Sequence, residues 1–176
     1  MPRPQSLRTH LRGLSLACLL VATLGACAPM PWQRFKAGDD VSQVTASLGQ
    51  PKESYPLSNG VQRLLWPTQP FGEITTAADV DSNGRVLRVA QVLDNNEFAQ
   101  AEIGKWTRED VLHHFGRPVE TNYFTLMKRE AWTYRYMDSD VWYMMYTFLF
   151  DDNGVLRSTQ KSPDPLHDPD RRNFFD

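Results

Sequence analysis

The sequence predicts an α+β fold: two tandem helix-helix-strand-strand-strand units, with an antiparallel sheet and short helices packed on one side of it. Three observations carry that prediction: an internal repeat, a pair of matching helix boundaries and a pair of matching turns. Val44-Thr45-Ala46-Ser47-Leu48-Gly49-Gln50-Pro51 aligns with Val111-Leu112-His113-His114-Phe115-Gly116-Arg117-Pro118 at an offset of 67 residues. Arg63-Leu64-Leu65-Trp66 then aligns with Arg129-Glu130-Ala131-Trp132. Asp81-Ser82-Asn83-Gly84 aligns in turn with Asp151-Asp152-Asn153-Gly154. Three landmarks in one order need only short loop insertions between them.

Residues 1–26 read as an export signal rather than as part of a fold. Arg3, Arg8 and Arg12 precede an apolar run over 14–24, and no acidic residue occurs before Asp39. The run is too short to span a bilayer as a helix. It ends in Leu24-Gly25-Ala26-Cys27, which resembles the lipobox of bacterial lipoproteins. That resemblance implies cleavage before Cys27 and acylation of its thiol. Residues 27–37 then form a lipidated N-terminus and linker. Ala28 at the following position implies the outer rather than the inner membrane. Removing three of the nineteen basic residues and none of the 21 acidic ones leaves a 150-residue chain of net charge −5. No overall basic field points to nucleic acid. Two cysteines, Cys18 and Cys27, exclude a disulfide framework or a tetrathiolate metal site.

The first unit spans residues 38–94. Asp40 suits a helix N-cap, Val44 and Leu48 share one helix face, and Gly49 with Pro51 suits the stop. Strand patterns follow over 61–66, 73–80 and 86–93. The second unit spans 95–161. A short helix over 95–103 precedes one capped by Thr107, with Asp110 placed to complete a capping box and Gly116 to close it. Strands follow over 130–136, 141–150 and 155–160. In each unit the Asn-Gly pair supplies the positive φ angles of a tight hairpin. The counterpart of the 95–103 helix, around residues 32–37, is reduced or missing. The tail over 162–176, with Pro163, Pro165 and Pro169, shows no periodicity and reads as flexible.

A short helix closing at Gly-x-Pro, an aromatic strand, then strand–Asp-x-Asn-Gly–strand resembles the SmpA/OmlA family of outer-membrane lipoproteins, whose best-known members are the BamE-like proteins. Tandem duplication of such a unit is similar to the architecture of the beta-lactamase inhibitor proteins. The resemblance covers residues 35–161. It implies a periplasm-facing, outer-membrane lipoprotein acting as a non-catalytic binding module in outer-membrane protein assembly or envelope integrity. Its partners would be the assembly machinery or another envelope protein. The tandem form implies a second reading, inhibition of a periplasmic or external hydrolase such as a beta-lactamase.

Motif chemistry points the same way. His113 and His114 are adjacent, so on a helix they point about 100° apart and do not share a metal readily. A calcium loop opening at Asp81 or Asp151 would need a glutamate at Val92 or Ser162. There is no nucleophile elbow, phosphate loop or His-Glu-x-x-His zinc motif. The sequence therefore predicts no enzyme, no metal and no cofactor. Its most unusual segment is 141–150, where alternation gives two apolar sets. One set is Val141, Tyr143, Met145, Thr147 and Leu149. The other is Trp142, Met144, Tyr146, Phe148 and Phe150. Either the strand is central and covered on both faces, or one face meets a partner. The candidate partner-binding residues are Trp142, Tyr143, Met144, Met145 and Tyr146, with Tyr134 and Tyr136 from the neighbouring strand. Tyr123 and Phe124 join them from a loop.

Overall fold

Eight strands form two four-stranded antiparallel sheets, ordered β1-β2-β3-β4 and β5-β6-β7-β8. The strands are β1 (Glu53–Pro56), β2 (Gln62–Pro67), β3 (Thr75–Val80), β4 (Val86–Gln91), β5 (Glu120–Phe124), β6 (Arg129–Asp138), β7 (Trp142–Phe150) and β8 (Leu156–Pro163). Among the described residues three short α-helices accompany them: α1 (Val41–Leu48), α2 (Asn95–Phe98) and α3 (Arg108–Phe115). This computed structural model describes residues 30–167, so the export signal, the lipobox with Cys27 and residues 168–176 lie outside the described residues. Residues 35–167 pack as one compact unit, and Pro31–Arg34 before it is a single 3-10 turn.

The expected α+β class is corrected by these elements. The fold is mostly β, and it is not two helix-helix-strand-strand-strand units. Each sheet gains a first strand, β1 or β5, that the sequence pattern did not signal. The first helix of unit one, expected to be reduced or missing, is a 3-10 turn at Pro31–Arg34, and α2 is one turn long rather than nine residues. The reason is side-chain supply. Only Val44 of α1 is buried, and α3 buries Val111 and Phe115. The aromatic and β-branched residues that build the core sit on strands instead.

The helices also fail to line one side of a single sheet. Val44 of α1 packs with Trp66, Ala78, Val80 and Val86 on one face of the first sheet. From the opposite face Leu65 and Ala77 join Val111 and Phe115 of α3. The same cluster takes Phe98 of α2 and the aromatics Tyr134, Tyr136, Tyr146, Phe148 and Phe150 of the second sheet. Helix α3 therefore lies between two sheets.

The matching boundaries have matching hydrogen bonds. The Asp40 side chain accepts from Ser42 N at 2.9 Å. Thr107 and Asp110 form a complete capping box. Val41 N reaches Gly84 O at 2.9 Å, and Arg108 N reaches Gly154 O at 3.0 Å. Each helix start is thus tied to the hairpin turn of its own unit. Gly49 and Gly116 close the helices at φ 81° and 83°, but with ψ −171° and −167°. This is not the left-handed conformation in which glycine usually closes a helix. It is a region open essentially to glycine alone. In the hairpin turns only Gly84 and Gly154 take positive φ. The carboxylates of Asp81 and Asp151 do the rest, each accepting from two turn amides, Asn83 and Arg85 or Asn153 and Val155. A register shift follows in each sheet, at Asp79/Val80 and Leu149/Phe150.

Candidate functional site

Alternation along β7 sorts its side chains into three groups. Met144, Tyr146, Phe148 and Phe150 face the core, beside Tyr134 and Tyr136 of β6. The Phe98 ring of α2 stacks on Tyr146 at 4.1 Å and 7°. Met145 and Leu149 are buried on the other face, where Thr147 and Thr133 bond at 2.9 Å. The strand is thus covered on both faces over most of its length. Its start is different: Val141 is 62% exposed, Trp142 68% and Tyr143 41%.

The hairpin geometry produces that exposure. Ser139 and Asp140 take φ 54° and 57°, and Val141 N bonds Asp138 O at 3.1 Å. This is the paired positive-φ turn of a tight hairpin, formed without glycine. It carries β6 and β7 past the end of the core. Asp138 pins its base, accepting from Asn95 Nδ2 at 2.7 Å, Ser139 Oγ at 2.9 Å and Tyr136 OH at 3.2 Å. The Asn95 and Ser139 hydrogen bonds, helped by the Lys161 ammonium, hold the Asp138 carboxyl below its usual range.

A buried ion pair gathers two more segments at this end. Arg135 Nε meets Asp164 Oδ2 at 2.9 Å, with the Asp164 side chain fully buried. Arg135 Nη1 donates to Pro70 O at 2.7 Å, which fixes the loop carrying Phe71. Asp164 N donates to Tyr143 O at 3.0 Å, and Asp164 Oδ1 accepts from Leu166 N at 2.9 Å. The His167 ring stacks on Tyr143 at 3.8 Å and 11°. Phe71 is 85% exposed and Leu166 61%. Five large apolar side chains, Phe71, Val141, Trp142, Tyr143 and Leu166, therefore stand in solvent on segments tied to one end of the second sheet. The chain through 162–167 is correspondingly part of the fold rather than a flexible tail.

The predicted contact residues divide accordingly. Trp142 and Tyr143 both stand exposed at this end, on opposite faces of β7, and Met144 is half-buried beside them. Met145, Tyr146, Tyr134 and Tyr136 are core residues, closed to a partner in this fold. Their burial follows from strand register, since Tyr134 pairs with Tyr146 and Tyr136 with Met144 on the covered face. Tyr123 and Phe124 are exposed, but they belong to strand β5, not a loop, and lie at the opposite end of the sheet. Sequence reasoning missed Phe71, Leu166 and the Arg135–Asp164 pair. Only an aromatic in Pro70-Phe71-Gly72, a turn context, signalled the first of these.

A second concavity, about 560 Å³ in volume, is lined by Arg63, Trp106, Glu109, His113 and His114 among others. Its polar groups are mostly engaged. Arg63 is paired to Asp79 through Nε at 2.6 Å and Nη2 at 2.8 Å. Glu97 receives His114 Nε2 at 2.8 Å and the Arg88 guanidinium. Burial pushes the Glu97 carboxyl up, but the His114 and Arg88 hydrogen bonds outweigh it and hold it down to about 2. His113 stacks on Tyr55 at 4.9 Å. The two histidines thus serve different neighbours, and no group of three metal-ligating side chains occurs among the described residues.

No family model and no curated protein matches the chain. Among solved structures it is similar to a "putative beta-lactamase inhibitor protein" from Streptococcus mutans, with 14% identity, covering 74% of this chain and 92% of that one at a TM-score of 0.30. A cysteine-rich secretory protein from Staphylococcus aureus is similar at 12% identity, with 74% of this chain and 45% of that one covered at a TM-score of 0.27. Likeness at that level fixes neither the fold nor the function of this chain.

Proposed function

We propose that the mature chain is a lipid-anchored, periplasm-facing binding module of the bacterial outer membrane. In this reading it docks a protein of the outer-membrane assembly or envelope-maintenance machinery and performs no catalysis. The observation that carries the binding role is the exposed apolar end of the second sheet. Trp142 and Tyr143 sit on a strand whose remaining residues are core, so they are held rigidly and lose little entropy on contact. Phe71 and Leu166 widen the surface. The SmpA/OmlA resemblance and the lipobox at Cys27 support the anchoring and the choice of partner.

The test is capture from detergent-solubilised membranes. The wild-type chain should retain a subunit of the β-barrel assembly machinery, and Trp142→Ala/Tyr143→Ala should lower its recovery at least tenfold with an unchanged circular dichroism spectrum. Equal recovery by the double variant sinks the proposed surface. Retention of a soluble hydrolase alone, with the activity of that hydrolase suppressed, replaces the assembly role with the inhibitor role.

A further inference from the structure

We infer that β5 pairs edge to edge with β5 of a second copy of this chain, antiparallel about Asn122, joining the two second sheets into one of eight strands. The inference rests on a different part of the molecule from the apolar end described above and does not depend on it.

The four sheet edges are not alike. Natural proteins guard such edges against pairing with lysine, other charges or proline. Edge β1 ends in Pro56, edge β4 carries Arg88, and edge β8 carries Arg157, Lys161 and Pro163. Edge β5, Glu120-Thr121-Asn122-Tyr123-Phe124, has one charge, Glu120 at its start, and no proline, lysine or arginine, and all five of its residues are exposed. Tyr123 OH donates to Asp152 Oδ1 at 2.9 Å, which holds the strand in place without covering its edge.

Symmetry and charge select a second copy as occupant. Pairing about Asn122 sets Thr121 opposite Tyr123 of the other copy, a favourable β-branched–aromatic pair, and Glu120 opposite Phe124. Within one chain Phe124 pairs with Arg129. Glu120 therefore shares a face with Arg129 of the other copy, two strand spacings or about 9.5 Å away. That distance is within reach of a glutamate and an arginine extending toward each other past Phe124. Neither Glu120 nor Arg129 has an ion-pair partner among the described residues, and the two-fold axis makes the contact twice. The two Glu120 side chains fall at opposite ends of the joint, so the arrangement sets no like charges against each other.

Cysteine trapping in the full chain, oxidised in isolated membranes, tests the pairing. Asn122→Cys should give a disulfide-linked homodimer at least tenfold above the parent chain and above Gln160→Cys on edge β8. Glu120→Arg and Arg129→Glu, each combined with Asn122→Cys, should lower the yield severalfold, and the two together should restore it. The proposal is overturned by an Asn122→Cys chain that stays monomeric, by equal yields from Gln160→Cys, by a mixed disulfide with another protein in place of the homodimer, or by a charge swap that restores nothing.

Discussion

At the scale of single residues, Gly116 is the most constrained position of the second unit. Its φ of 83° and ψ of −167° exclude other residues, and an added Cβ would lie 3.0 Å from Leu65 Cδ1 and 3.1 Å from Glu53 Oε2. Gly49 shares the dihedral angles but has open space around it. Gly49→Ala should therefore show backbone strain alone, about 1–2 kcal/mol, and Gly116→Ala about 1 kcal/mol more, both read from urea midpoints. Glu97 gives the pH dependence. Its folded carboxyl lies near 2, below the unfolded range, so its ionised form stabilises the fold above the unfolded value. That contribution fades as pH falls from about 4.5 toward about 2. Glu97→Gln should lower stability at neutral pH and flatten the acid limb of the stability curve. A parallel downward shift with the limb intact would locate the acid sensitivity elsewhere.

At the scale of elements, α3 is started by the side chains of Thr107 and Asp110 and ended by the backbone of Gly116, and the capping box explains why its start was legible in the sequence. Thr107→Ala should cost about 1 kcal/mol in thermal or chemical denaturation. The paired Asp-x-Asn-Gly turns were legible for a related reason, because local hydrogen bonds dictate them, although aspartate rather than asparagine supplies the geometry. Strands β1 and β5 were not legible. They are four and five residues long, polar, and at sheet edges, so neither alternation nor hydrophobicity marks them. Ser139–Asp140 hid the tight hairpin, since neither residue is the usual positive-φ choice. Of the candidate site, Trp142 and Tyr143 could be named from composition. Separating them from Tyr134, Tyr136 and Tyr146 needed the register, because all five look alike on an apolar strand. Trp142→Ala should change stability by no more than about 0.5 kcal/mol, as expected for an exposed side chain. Tyr146→Ala should cost several times that.

For the whole molecule, the decisive residue is Phe98. It is 2% exposed and touches Phe115, Tyr136, Tyr146 and Phe148, which puts a one-turn helix at the centre of a core drawn from both sheets. Phe98→Ala should cost about 3–5 kcal/mol. Because Leu65 and Ala77 of the first sheet share that core, unfolding should be one cooperative transition across both units, checked by coincident circular dichroism and fluorescence curves. The repeat in the sequence suggested two tandem units. What it could not show is that α3 is enclosed by both sheets, since that depends on contacts between residues far apart in the chain, such as Phe115 with Phe148 and His113 with Tyr55. The overrating of helix has the same origin. Caps and stops announce helices locally, whereas edge strands become strands only beside their neighbours.

The second sheet has one more consequence, a mechanical one. Strand β7 runs from the exposed Trp142 to the buried Phe150, paired by ladder hydrogen bonds with β6 along its whole length and with β8 from Met144 to Leu149 before the register shift. A pull applied at Trp142 along the strand axis meets those bonds at right angles, so they bear the load together instead of opening one by one from an end. Shear along β7 is therefore the direction in which this β-sheet resists force best.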